Sequence, residues 1–187
     1  MNLSENERWL LSFYRMSEIS GSLFFGRLAR TLPSGPVQMD MTRHFADEAQ
    51  HARYWTDCLD RLGASPLRLP NSYQDQYINA AGMPVNLMEV LALTQVFERR
   101  VVRQYVKHMG APGLNPVIKE TLEKIIDEEK WHLEWIGQAL VELEPKYGQA
   151  RIQQALDRFS AADLAVYAAT AKEHEERVDA LSLRLSH

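Results

Sequence analysis

The segments Asp47-Glu48-Ala49-Gln50-His51 and Glu128-Glu129-Lys130-Trp131-His132 share one pattern, an acid followed by Glu-x-x-His. Residues three apart on a helix stand on one face about a turn from each other, so each segment can offer a carboxylate oxygen and an imidazole nitrogen to one cation. What surrounds the two segments decides whether they act together.

Outward from them the apolar pattern is helical. A first helix over about 4–32 opens on Ser4 with Glu7 three residues later, a capping box, and carries Leu11, Tyr14, Phe25 and Leu32 on one stripe. Leu32-Pro33-Ser34-Gly35-Pro36 then enforces a reversal. A second helix over about 37–62 runs through Met41, Phe45, Ala52, Trp55 and Leu59 to Gly63. Residues 64–85, rich in Pro with Asn71, Ser72 and Gly82, read as a long crossover with room for one helical turn. A third helix spans about 86–109 and ends at Gly110-Ala111-Pro112-Gly113; a fourth spans about 116–143. After Pro145 and Gly148 two more amphipathic segments follow, about 149–159 and 161–185. No alternating β-branched run competes, so the expected class is all-α. Two short links separated by a long one predict two antiparallel hairpins docked as a four-helix bundle over about 4–143, with a C-terminal helical extension over about 149–185, all in a single domain.

Height within the hairpins joins the motifs. Glu18 and Glu48 lie symmetrically about Pro33, and Glu98 and Glu129 about the Gly113-Leu114 turn. Each stands about fifteen residues from its turn, roughly 20 Å at 1.5 Å per residue. Their faces are apolar: Leu11, Tyr14, Gly21, Ser22 and Phe25 around Glu18; Leu91, Thr94, Val101, Val102 and Tyr105 around Glu98; Leu122, Ile125, Ile126, Leu133 and Ile136 around Glu129. Four carboxylates pointing into one core repel each other and lose their hydration unless cations neutralise them. Arg15 and Arg99 flank the stripes but lie off them. Two divalent metal ions would supply the missing charge, with His51 and His132 completing the donor set.

The pattern Glu18, Glu48-x-x-His51, Glu98, Glu129-x-x-His132 resembles the ferritin-like di-iron carboxylate proteins, a superfamily that includes bacterioferritin, rubrerythrin and the di-iron oxygenases. The likeness covers about residues 10–140. It implies two iron ions, or an Fe/Mn pair, held by Glu18, Glu48, His51, Glu98, Glu129 and His132, with Glu48 and Glu129 bridging. It also implies that Asp47 and Glu128 hydrogen-bond the outer ring nitrogens of the histidines across the hairpins. Unlike rubrerythrins, the chain has Val101 where an extra Glu is usual, and it has no cysteine-rich module. The long segment after the fourth helix disfavours a storage cage.

Composition sets the remaining bounds. A formal charge of -4 over 187 residues argues against phosphate-backbone binding, so no nucleic-acid partner is expected. The single Cys58, the absence of a leader-like N-terminus and the lack of any long apolar run point to the cytoplasm and away from membranes. The leading expectation is an oxidoreductase that uses O2 or H2O2 to oxidise or hydroxylate a small organic substrate. An external reductase or ferredoxin supplies electrons, and the state is a homodimer. A ferroxidase or peroxide scavenger, and a helical interaction module with a structural metal, stand beside it. Around the motif, Tyr14 is read as a core phenol bonded to a neighbour, and His44 as a satisfied core or pocket-lining imidazole rather than a third histidine ligand. His174 is placed on a solvated face, and Trp131 and Trp135 at a core or dimer interface. Gly21, Ser22, Thr94 and Gln95 either leave room for dioxygen or substrate or serve close helix packing.

Overall fold

The computed structural model describes residues 3–70, 73–168 and 172–183. Among them every regular element is a helix: α1 (Glu5–Thr31), α2 (Pro36–Arg61), α3 (Tyr73–Ala81), α4 (Leu87–Met109), α5 (Pro116–Glu142), α6 (Glu144–Tyr147), α7 (Gln149–Val166) and α8 (Lys172–Leu183). No helix among the described residues is long and apolar enough to cross a membrane.

Local chemistry sets the boundaries. The Ser4 hydroxyl accepts the Glu7 N–H at 3.1 Å, and a Glu7 carboxylate oxygen accepts the Ser4 N–H at 2.9 Å, which closes the capping box on α1. Asn86 caps α4 through the Glu89 N–H at 3.0 Å, and Asn115 caps α5 through the Val117 N–H at 2.9 Å. Pro36 and Pro116 occupy first-turn positions, where a missing N–H costs nothing. Gly63, at φ +68°, supplies the left-handed residue after α2.

Packing joins α1 to α2 and α4 to α5 as hairpins, and α2 lies against α5. The two Glu-x-x-His segments therefore face each other across the α2–α5 seam. Gly26 on α1 lets α2 come close, since a Cβ there would lie 3.1 Å from the Phe45 ring. That ring rests on the seam's edge and is 37% exposed, so Phe45 does not belong to the buried stripe read from the sequence.

The crossover holds more structure than the expected single turn. In α3, Tyr73 and Tyr77 are one turn apart and buried, with their rings parallel at 5.9 Å and both stacked on Phe97 of α4. The Tyr73 hydroxyl donates to Asp163 of α7, which also takes two guanidinium hydrogen bonds from Arg100 of α4 at 3.0 and 2.6 Å. An aromatic pair on a nine-residue helix leaves too weak a periodicity to read among the surrounding Pro and Asn residues. Nor does α7 break near residue 160, because Ile152, Ala155, Phe159, Asp163 and Val166 form one continuous buried stripe.

The solvated face expected for His174 is also overturned: the residue is fully buried. Tyr14 of α1 holds it in place, with its hydroxyl 2.7 Å from His174 Nε2 and 3.2 Å from Nδ1 of the equally buried His108 on α4. The Tyr14 contact thus fastens α8 to α1. The acids flanking His174 point outward, and their charge masked the inward imidazole in the sequence. Burial lowers His108 to about 4; burial, with His108 and Lys107 nearby, lowers His174 to about 3. Both are neutral in the fold and ionise on unfolding near 6.5, so the stability they contribute is complete above that pH and is lost as pH falls towards 4. The advantage of the wild-type chain over His174→Gln in urea unfolding is expected to shrink by about 1.4 kcal/mol per pH unit between pH 6.5 and 4. A difference that stays constant with pH would contradict a buried neutral imidazole.

Candidate metal centre

All six residues singled out as ligands converge. Glu18, Glu48, Glu98, Glu129, His51 and His132 come from α1, α2, α4 and α5, and none is more than 1% exposed. Their donor atoms fall into two sets, each within 4.8 Å: Glu18, Glu48, His51 and Glu129 in one, His44, Glu48, Glu98 and His132 in the other. Each set could hold a metal ion. Glu48 belongs to both. Glu129 also spans them, with Oε1 3.2 Å from His51 Nδ1 and Oε2 2.8 Å from His132 Nδ1.

Of the two outer acids, Glu128 is hydrogen-bonded to a histidine, while His132 Nε2 makes no directed hydrogen bond among the described residues and has Asp47 only at ion-pair distance. His51 of α2 turns Nε2 to Glu128 of α5 at 2.9 Å, and His132 of α5 turns Nε2 to Asp47 of α2 at 3.5 Å. Each hairpin therefore orients the other's imidazole, leaving Nδ1 to face the carboxylates.

His44, read from the sequence as a core or pocket-lining imidazole, stands in one of the two donor sets. It is fully buried, with Nε2 3.3 Å from Glu48 and 3.2 Å from Glu98, and its ring stacks on His132 at 3.7 Å. Neither of its ring nitrogens makes a directed hydrogen bond among the described residues, and its neighbours are the two carboxylates. The spacing His44-x-x-x-Glu48 carried the signal, because positions four apart share a helix face.

Charge is the dominant feature of the cluster. Among the described residues the ion-pair partners of these carboxylates are histidines. Arg15 bonds Thr56 at 2.8 Å, and Arg99 is exposed. Burial, reinforced by Glu48, holds the Glu18 carboxyl well above its ordinary range and pushes Glu98 up to about 7. Glu129 goes the other way: although buried, it is held low by His132 and His51. Burial opposes the cationic form of His132, yet Glu129 and Asp47 push it up to about 11, and Glu128 and Glu129 raise His51. Protons are thus shared through a cluster with more acid than base, as happens where divalent cations are the natural counter-charge.

Two details fit the residues to such ions. Glu48 and Glu98 accept no hydrogen bond on either oxygen among the described residues, although both are buried; such orphan oxygens are rare in a packed core. The space beside Glu48 is kept open by Gly21, where a Cβ would lie 2.6 Å from Glu48 Oε2. Glu18, by contrast, is fixed: the Tyr105 hydroxyl donates to it and itself accepts the Trp55 N–H at 3.2 Å. Carboxylate oxygen with imidazole nitrogen suits iron, manganese or zinc.

No protein-family model matches the chain, and no curated protein and no solved structure matches it. Its chemistry is read from these side chains themselves.

Gly21→Ala separates metal binding from folding. The variant should keep or slightly raise melting temperature, because Ala is favoured over Gly in a helix by about 0.5–1 kcal/mol. The displaced Glu48 carboxylate should weaken divalent-ion binding by at least about tenfold, as for other changes that misplace a ligand. Titration with Mn(II) followed by electron paramagnetic resonance reads the affinity directly, and unchanged binding would contradict the role given to this gap.

Proposed function

We propose that the chain is a ferritin-like di-metal carboxylate oxidoreductase that uses iron, or an Fe/Mn pair, with O2 or peroxide to oxidise a small organic substrate. The observation that carries this reading is the meeting of two complete donor sets at Glu48, deep between two helical hairpins. One ion would be held by Glu18, Glu48, His51 and Glu129, the other by His44, Glu48, Glu98 and His132, with Glu129 within reach of both. Two reduced ions, when bound, supply two of the electrons that cleavage of an O–O bond requires, the remainder coming from the substrate or an outside donor.

The protein's own part is positional. Glu128 and Asp47 hold His51 and His132 with Nδ1 inward. Glu48 makes no directed hydrogen bond among the described residues and packs against Gly21, so its two oxygens would be available to ions held in either donor set. Tyr105 keeps a proton on its hydroxyl directed at Glu18, since burial and the Glu18 charge raise it well above its ordinary value. Core side chains enclose the site, and their low dielectric strengthens every charge interaction inside it.

The test is anaerobic loading with Fe(II), elemental analysis, then admission of oxygen to the reduced protein. Expected are two irons per chain, a transient visible absorption, and loss of both in Glu48→Ala. Oligomers of cage size that accumulate iron mineral would shift the reading to a ferroxidase. Iron that binds yet stays ferrous in air would leave only a structural role.

A further inference from the structure

A groove of about 240 Å³ runs between α4 and α7, and none of its lining residues belongs to the two donor sets. Val96, Arg99, Arg100 and Arg103 form its wall on α4; Ser160, Asp163 and Leu164 form its wall on α7. In a chain whose formal charge is -4, three guanidinium groups here face a single acid. That acid is already engaged. Asp163 accepts two hydrogen bonds from Arg100, at 3.0 and 2.6 Å, and another from the Tyr73 hydroxyl, so one arginine cancels its charge. The same contacts pin the buried Arg100, whose guanidinium also lies 3.7 Å from the centre of the Tyr167 ring.

Arg99 and Arg103 are left over. Both are exposed, they stand one turn apart on α4, and no carboxylate among the described residues pairs with either. Like charges four residues apart destabilise a helix, and Lys107 continues the row. Lys107 has counter-charges in Glu175 and Asp179; the two arginines have none. Ser160 adds a hydroxyl without a hydrogen-bond partner among the described residues. The groove therefore presents two uncompensated positive charges and a free hydroxyl, edged by the apolar side chains of Val96 and Leu164.

The kind and number of donors select the occupant. A carboxylate carries one charge on two oxygens, which a single guanidinium fork satisfies. Two forks and a hydroxyl match a tetrahedral dianion with three free oxygens, as a phosphate monoester is near neutral pH. Nucleic acid would need a longer basic stripe and a less acidic chain. We propose that this groove binds the phosphate group of a small phosphate monoester, held by Arg99 and Arg103 of α4 and the Ser160 hydroxyl of α7, with its organic part against Val96 and Leu164. The ligand clasps α7 to α4 and relieves the repulsion between the two arginines. Its binding is independent of the function proposed above, since it uses no metal donor.

The test titrates the full chain, without added metal and at constant ionic strength, with phenyl phosphate, inorganic phosphate and benzoate. Arginine Nε–Hε resonances and melting temperature report binding. Phenyl phosphate is expected to bind saturably and at least about tenfold more tightly than benzoate, because it offers more charge and more acceptors to the same forks. It should shift the Arg99 and Arg103 signals and raise the melting temperature, and inorganic phosphate should shift the same signals. Arg99→Gln combined with Arg103→Gln should abolish both effects while melting no lower than the wild type without ligand, since the replaced side chains are exposed and unpaired. Ser160→Ala should weaken phenyl phosphate by at least about threefold, and Arg61→Gln, which removes an exposed arginine elsewhere, should change nothing. Equal affinity for benzoate, a response that does not saturate, or binding undiminished in the double variant overturns the proposal. So does retention on phosphatidic acid vesicles without saturable binding of phenyl phosphate, which would make the groove a membrane-surface contact.

Discussion

Four carboxylates buried at one level, without a lysine or arginine among their ion-pair partners in the described residues, are the constraint to which the rest of the molecule answers. Their mutual repulsion in a poorly polarisable interior would cost several kcal/mol per charge if it were left uncompensated. The chain responds in three ways. Three imidazoles share the space, burial and mutual repulsion raise the pKa of Glu18 and Glu98, and the acids Asp47 and Glu128 stand outside two of the imidazoles. Each response requires two helices at a set height and rotation. The hairpin lengths, the docking of α2 on α5 and the glycine at position 21 follow from this requirement as much as from the packing of apolar side chains.

Much of this was legible in the sequence because helical spacing and turn position are local properties. Glu48-x-x-His51 and Glu129-x-x-His132 name one face each, and Pro33 and Gly113 mark the levels from which Glu18 and Glu98 are counted. The all-helical class and the two hairpins followed from the same periodicity. What the sequence concealed depends on partners far along the chain. His44 reads as an ordinary core residue until Glu98, on another hairpin, arrives 3.2 Å away. His174 sits among Glu173, Glu175 and Glu176, and nothing local shows that Tyr14, 160 positions earlier, receives it. The α3 helix is held by Phe97 and Asp163 rather than by its own propensity, so the crossover looked unstructured.

The internal near-repeat of the two hairpins makes their differences informative. Each contributes one Glu from its first helix and one Glu-x-x-His from its second, yet the two donor sets are unlike. The set containing Glu18 has one imidazole, and Tyr105 bonds its carboxylate. The set containing Glu98 has two stacked imidazoles, and Glu98 accepts no directed hydrogen bond among the described residues. The second set is richer in nitrogen and poorer in negative charge. Two ions placed there would differ in charge compensation and in the freedom of their carboxylates, which is a physical basis for dividing labour between a firmly held position and an adaptable one.

The surroundings extend this asymmetry along α1. One turn before Glu18 stands Tyr14, packed edge-on to Tyr105 at 4.8 Å and bonded to two neutral histidines, so this end of the site is lined with hydrogen-bonded polar side chains. One turn after Glu18 come Gly21 and then Phe25, facing an apolar nook with no polar atom. Hydrogen-bonded polar side chains line one end, apolar side chains the other. The division rests on residues placed three or four apart on a single helix, and it depends on α8 and α3, the two elements outside the hairpins, to close opposite ends. Those additions give the bundle its chemical polarity: α8 brings His174 to the hydrogen-bonded end, and α3 brings Tyr77 and Ile78 to the apolar one.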